Sequence, residues 1–173
     1  MICVRKSEIP KSALTQLYVG RRGTRVDCYA VKVKGDISLE DFVGSFYRGK
    51  LFGFERWLIE KVVGYVSNEQ QLERLLKQQD ITFSAWTQIE RTPSQLIMQD
   101  YQSRTCSWFM VEDSGAVVED SGAVTALYFG SIIQPTKHLN HGEFLSKLIF
   151  TILLPAHGLY SRLLLSQAAK RFR

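Results

Sequence analysis

Cysteine is scarce in this chain. Cys3, Cys28 and Cys106 are all it has, odd in number, far apart and without a C-x-x-C pair. That pattern excludes a disulfide framework and a cysteine zinc site, and it fits a reducing compartment where buried Cys behaves as a small hydrophobe. Proline is also sparse, at four residues in 173, and no Pro/Gly/Ser-rich stretch divides the chain. A single domain over residues 1–173 is therefore expected, of a size that buries about two thirds of its unfolded surface. No apolar run reaches spanning length: Leu148–Leu154 is interrupted on its flanks by Lys147, Pro155, His157 and Arg162, short of the ~18–20 residues a span requires. The opening MICVRKSEIPKSA lacks a signal-peptide core, so a cytoplasmic location is expected.

Reaction signatures are missing as well. Gly20-Arg21-Arg22-Gly23 has neither the G-K-[ST] ending nor the preceding apolar strand of a phosphate loop. Gly44-Ser45 is not part of a G-x-S-x-G elbow, and no cysteine has a local catalytic signature. His138 and His141 form H-x-x-H with Glu143 nearby, but Asn140 and Gly142 break helix there and no third ligand stands at a diagnostic distance. No metal and no cofactor are expected.

Charge is present in excess of one sign. Lys and Arg outnumber Asp and Glu by 22 to 17, giving +5 and a pI near 9.2. The basic residues occur as knots, Arg5-Lys6, Arg21-Arg22 with Arg25, and Lys170-Arg171 with Arg173, near chain ends or Gly-flanked turns. A nucleic-acid footprint would instead be a face or helix stripe interleaved with stacking rings, so nucleic acid is set aside. A weak association with anionic membrane surfaces is compatible with this charge.

Periodicity supplies the elements. Residues 24–34 read as a strand leaving by Gly35-Asp36. Ser38 opens a capping-box-like S-L-E-D, and Leu39, Phe42, Val43 and Phe46 follow at helical spacing. Phe54, Trp57, Leu58, Lys61, Val62 and Tyr65 mark a second helix, and Asn68 restarts a third with Leu72, Leu75 and Leu76 on one face. From Ile81 the period becomes two: 81–91, 95–102, 104–112 and 123–133 read as strands of an antiparallel meander. A long helix closes the chain from about Gly142 to Arg173. The fold class is α+β, a curved antiparallel sheet wrapped around a long C-terminal helix, with residues 1–23 a loosely packed N-terminal extension.

One local oddity is an exact tandem copy, VEDSGAV at 111–117 and again at 118–124. Because strand side chains alternate with period two, a seven-residue insertion within one strand would flip everything downstream, so most of it should enlarge the turn between two strands. Its acids, Glu112, Asp113, Glu119 and Asp120, would form an acidic flap, and their spacing lacks the ligand alternation of a Ca²⁺ loop.

Candidate site residues follow from chemistry. Trp86, Met98, Trp108, Tyr128 and Phe129 would wall an apolar pocket. Asp100 and Glu90, on neighbouring strands, are the acid/base candidates. His157 lies inside the apolar closing helix after Pro155, where a ring nitrogen could meet a ligand or its own backbone.

Val26-Asp27-Cys28-Tyr29-Ala30-Val31, the helical pair ending in Phe54-Glu55-Arg56-Trp57, and the late block Leu153-Leu154-Pro155-Ala156-His157 together resemble the DUF2867 family, over most of residues 24–170. The resemblance implies a START-like, helix-grip (SRPBCC) fold with an internal cavity. The expected function is binding of a small hydrophobic ligand, lipid-like, polyketide or isoprenoid, between sheet and closing helix. The alternatives are a cyclase or dehydratase using Asp100, Glu90 or His157 in the same cavity, and a membrane-associated or oligomerising module.

Overall fold

The strands and helices begin and end where local chemistry dictates. In the computed structural model, residues 3–114, 122–134 and 144–172 are described, with the side chains of the last stretch described from His157 onward. Among the described residues there are eight strands: β1 (Arg5–Lys6), β2 (Arg25–Val26), β3 (Tyr29–Lys34), β4 (Thr82–Phe83), β5 (Trp86–Arg91), β6 (Gln95–Asp100), β7 (Thr105–Asp113) and β8 (Val124–Ile133). They form one antiparallel sheet in the order β1-β3-β8-β7-β6-β5-β4, with β2 also on β8.

The helices α1 (Leu39–Tyr47), α2 (Lys50–Val63) and α3 (Glu69–Leu76) lie between β3 and β4 in sequence, and α4 (Phe144–Ala169) follows β8. The Ser38 hydroxyl accepts from the Asp41 N–H at 3.1 Å and caps α1. Gly64, with φ 81°, ends α2 in the left-handed conformation that a C-cap favours. Asn68 and Gln71 cap α3 reciprocally, each side chain accepting from the other's N–H at 2.9 and 3.2 Å.

Two expected strands are divided. The 24–34 strand breaks at Asp27-Cys28, yet its register on β8 is continuous, from Arg25 opposite Ile133 to Lys34 opposite Val124. Gly130 makes the seam possible, because a Cβ there would stand 2.2 Å from the Asp27 carbonyl oxygen. The 81–91 strand folds at Ser84, φ 53°, into the β4–β5 hairpin. Within β5 the register shifts between Gln88 and Glu90, a bulge that leaves Ile89 exposed.

Both faces of the sheet are covered. On one, Leu96, Met98, Phe109, Leu127 and Phe129 pack with Phe42, Phe46 and Tyr47 of α1, Phe52 of α2 and Leu164 and Leu165 of α4. On the other, Ile97, Cys106, Trp108, Met110 and Ile132 meet Ala13, with Ile9, Leu14 and Tyr18 beside them. Residues 1–23, expected to be loosely packed, therefore include a cover for that second face, in which Ala13 and Thr15 are fully buried. The coil has no hydrophobic period for a sequence reading to detect.

Val111–Asp113 of the first VEDSGAV copy end β7, and Val124 of the second opens β8. Residues 115–121 between them lie outside the described residues, as do His138, His141 and Glu143.

Candidate functional site

The short strand β1 pairs with only two residues of β3, Arg5 opposite Ala30 and Lys6 opposite Tyr29. β1 ends at Arg5 opposite Ala30, and a cleft of about 990 Å³ lies around this part of β3. One wall is β1 with its neighbours, Cys3, Arg5, Lys6 and Ser7. Ala30, Lys32 and Lys34 of β3, with Ala126 and Tyr128 of β8, face it from one side of the sheet, and Val31, Val33, Ala169 and Phe172 from the helix side. Arg5, Lys6, Lys32 and Lys34 are all exposed, and among the described lining residues there is no carboxylate side chain. Such a concentration of one sign raises the local concentration of an opposite charge. The nearest acid in the same cross-strand row is Glu112, opposite Ala126 on β7, and it accepts from the Tyr128 hydroxyl at 3.0 Å. Burial and this carboxylate push the Tyr128 phenol up to about 12, so it remains a donor at neutral pH.

Strand pairing is what assembles this site. Arg5-Lys6 reads as an isolated basic knot in the sequence, and it meets Lys32 and Lys34 only because β1 lies on β3. The signal that pointed here was the Y-A-V-K-V-K alternation of β3, which puts both lysines on one face.

The expected pocket wall is divided between the two sides of the sheet. Trp86, Met98 and Phe129 join the helix-side core, where Trp86 packs on Phe52 at 5.0 Å and Phe129 on Phe46 at 4.7 Å. Trp108 is buried on the opposite face, its indole N–H donating to Gln95 Oε1 at 3.1 Å, and Tyr128 shares that face. Alternation along a strand forces this: Tyr128 and Phe129 are neighbours and must point opposite ways. Of the five, Tyr128 lines the cleft.

The three acid/base candidates are likewise apart. Asp100 closes the β6–β7 turn, accepting from the Arg104 N–H at 2.8 Å and the Thr105 hydroxyl at 2.9 Å. Glu90 stands opposite Ile97, on the face covered by the N-terminal coil. His157 faces a carboxylate, with Nε2 3.4 Å from Asp27 Oδ2. Asp27 sits at the β2–β3 seam, where its Oδ1 accepts from the Ser131 N–H at 2.7 Å. Burial raises the Asp27 carboxyl, against the lowering effect of the Ser131 hydrogen bond and of His157 and Lys6. Glu90, Asp100 and His157 thus stand on three elements, β5, β6 and α4.

A second buried polar cluster lies in the helix layer. The Tyr160 hydroxyl of α4 donates a short hydrogen bond to Glu55 of α2. Burial holds the Glu55 carboxyl above its ordinary range, with the Tyr160 bond acting in the other direction. Burial and the Glu55 charge in turn raise the phenols of Tyr160 and Tyr47. Together with the Leu51 N–H donating to Gln167 Oε1 at 3.0 Å, this cluster fastens α2 to α4. A polar residue on a helix gives no sequence sign that its partner lies on another helix.

No helix among the described residues is long and apolar enough to cross a membrane. No protein-family model matches the chain, and no curated protein and no solved structure matches it.

Proposed function

We propose that this chain is a non-catalytic binding protein that holds an anionic partner in the cleft along β3. The carrying observation is that Arg5, Lys6, Lys32 and Lys34 all line one open concavity, Arg5 on the same side of the sheet as the two β3 lysines, with no carboxylate side chain among the described lining residues. The meander, with α4 against β3 and β8, supports the helix-grip, START-like reading. An apolar ligand between sheet and closing helix is less well supported, because Phe46, Phe109 and Phe129 already fill that space with mutual contacts of 4.7–5.4 Å. The test is calorimetric titration with inorganic polyphosphate and with a polyglutamate peptide, at low and high salt. Binding should weaken with salt and be lost in the Lys32→Glu/Lys34→Glu double variant. Absence of binding to both probes at low salt, or equal binding by the variant, would refute the proposal.

A second reading, association with an anionic membrane surface, is favoured by α2. Lys50, Phe54, Trp57 and Lys61 recur at helical spacing and are all exposed, with Phe54 and Trp57 61% and 52% accessible and stacked at 5.8 Å. Rings flanked by lysines suit a headgroup interface. Leu159 and Leu163 of α4 are exposed as well. Co-sedimentation with phosphatidylserine vesicles, abolished by Phe54→Ala/Trp57→Ala, is the expected result; sedimentation unchanged by that pair would remove the reading.

A further inference from the structure

Two helices share one exposed side. Leu51 of α2 donates its N–H to Gln167 of α4, and Glu55 accepts from the Tyr160 hydroxyl, so residues rising along α2 meet residues descending along α4. The pair is antiparallel. In that arrangement the side on which Phe52 of α2 and Leu165 and Ala168 of α4 enter the core lies opposite the side that holds Phe54 and Trp57 of one helix and Leu159 and Leu163 of the other. All four are at least half exposed, Leu159 at 62% and Leu163 at 50%. Lys50 and Lys61 flank the rings on α2, and α4 has no acidic residue from His157 to its end. Glu55 lies in the seam between the two apolar rows, next to Phe54 in sequence and bonded to Tyr160, which Leu159 precedes and Leu163 follows by about one turn. It is half-buried, so a cover laid over the seam takes further solvent from it.

We propose, resting on the membrane reading above, that α2 and α4 dock together on an anionic lipid surface and that docking takes up one proton from solution at the Glu55 carboxylate. The two apolar rows enter the interface, and the lysines meet headgroup phosphates. Lipid fits this surface better than single-stranded nucleic acid, because Leu159 and Leu163 give a base no ring to stack on. Covering the seam removes solvent from around Glu55, which disfavours its charged form. The groups that face it do not offset this. Tyr160 of α4 and Tyr47 of α1 are neutral phenols, both raised by burial. Arg56 turns away over the Phe83 ring of β4, 5.3 Å from its centroid, where Glu69 and Glu60 act on it. Burial already holds the Glu55 carboxyl high in the free chain, and docking raises it further. By linkage, docking is strongest below the free chain's Glu55 range and weakens as pH rises through the docked value, by at most about tenfold per pH unit for one proton.

The experiment is co-sedimentation of the whole chain with phosphatidylglycerol vesicles, whose headgroup charge is constant over the range used, from about pH 5 to about pH 9. Binding should weaken with rising pH. Glu55→Gln, neutral throughout, should bind at the top of the range as tightly as the unaltered chain binds at the bottom. Tyr160→Phe, which removes the bond favouring the charged carboxyl, should move the midpoint to higher pH. Leu159→Ser/Leu163→Ser should weaken binding about tenfold or more at every pH. His157→Gln should leave the profile in place, because His157 faces Asp27 and not the seam. A flat profile in the unaltered chain, a slope that survives Glu55→Gln, or one that vanishes with His157→Gln overturns proton uptake at Glu55 while membrane docking stands. Undiminished binding by the Leu159→Ser/Leu163→Ser variant overturns the two-helix surface. Binding to an oligothymidylate and not to vesicles, or to neither at low salt, brings down this inference and the membrane reading together.

Discussion

On one face of the sheet, Phe46 of α1 meets Phe109 and Phe129 at 4.8 and 4.7 Å, and Phe52 of α2 adds a further ring at 5.7 Å. On the other face, Trp108 is covered by a largely irregular N-terminal segment with one short 3-10 helix, Leu14–Tyr18, and the Gln95 side chain ties the two together. Gln95 of β6 accepts from the Leu14 N–H at 2.8 Å and from the Trp108 indole, and donates to the Ser12 carbonyl at 2.9 Å. A helix satisfies its own backbone, so it can cover a sheet with apolar mass alone. The N-terminal segment brings a coil carbonyl, at Ser12, and the unpaired first amide of its short helix, at Leu14, to the sheet, and something on the sheet must meet them. The difference is one of means: apolar volume closes one side, and a hydrogen-bonding hub closes the other.

The largest expected effect is on the ring-packed side. Phe46→Ala removes a buried ring from four aromatic contacts and should cost about 3–5 kcal/mol in denaturant unfolding. A loss below about 1 kcal/mol would make the two faces energetically alike and break the comparison.

Gln95→Ala is expected to cost less, about 2 kcal/mol, because it strands the Leu14 N–H and the Trp108 indole in a buried setting. Its signature should be local. Proteolytic cutting within residues 7–24 should rise at denaturant levels where the near-UV dichroism of the ring core is unchanged. Simultaneous loss of both signals would show that the coil is not a separately held cover.

The smallest effect concerns the polar fastening of the helix layer. Because Glu55 is held above its ordinary range, the folded chain binds that proton more readily than the unfolded one. The stability this contributes is full below the unfolded carboxyl's range and is lost as pH rises through the folded value. Glu55→Gln keeps an acceptor for Tyr160 and should flatten that decline, with less than about 1 kcal/mol gained at pH 7 since the side chain is half-buried. An unchanged pH profile of stability would assign the decline to other groups.

The same contrast explains what could be read from the sequence. The first three helices were legible from their period, and Ser38 and Asn68 mark two of their starts chemically; the second was read too far, through Tyr65, whereas Gly64 ends α2 at Val63. The meander was legible from alternation. Residues 7–26 have neither period nor cap, and their role depends on Gln95, about eighty positions away in sequence. The site was less legible still. Its cations lie on β1 and β3, and pairing register decides that they share a groove. The expected wall of Trp86, Met98, Trp108, Tyr128 and Phe129 treated large rings as one surface, whereas β7 and β8 deal them to opposite sides. His157 stood out correctly as a polar residue in an apolar helix, but its partner, Asp27, lies on a seam that only the close approach at Gly130 permits.

The pairing of β3 with β8 has a consequence for how the molecule is made. Three helices and four strands separate these partners in sequence, whereas β5 to β8 form a ladder of sequence neighbours. Loop closure favours the neighbours, so the meander can assemble while β3 waits for β8 to emerge. The groove is also lined by Ala169, the last residue of α4, and by Phe172 in the turn that follows. A nascent chain stalled before α4 would display the lysines of β3 without the helix-side wall of the cleft, which is completed only once the last helix has docked.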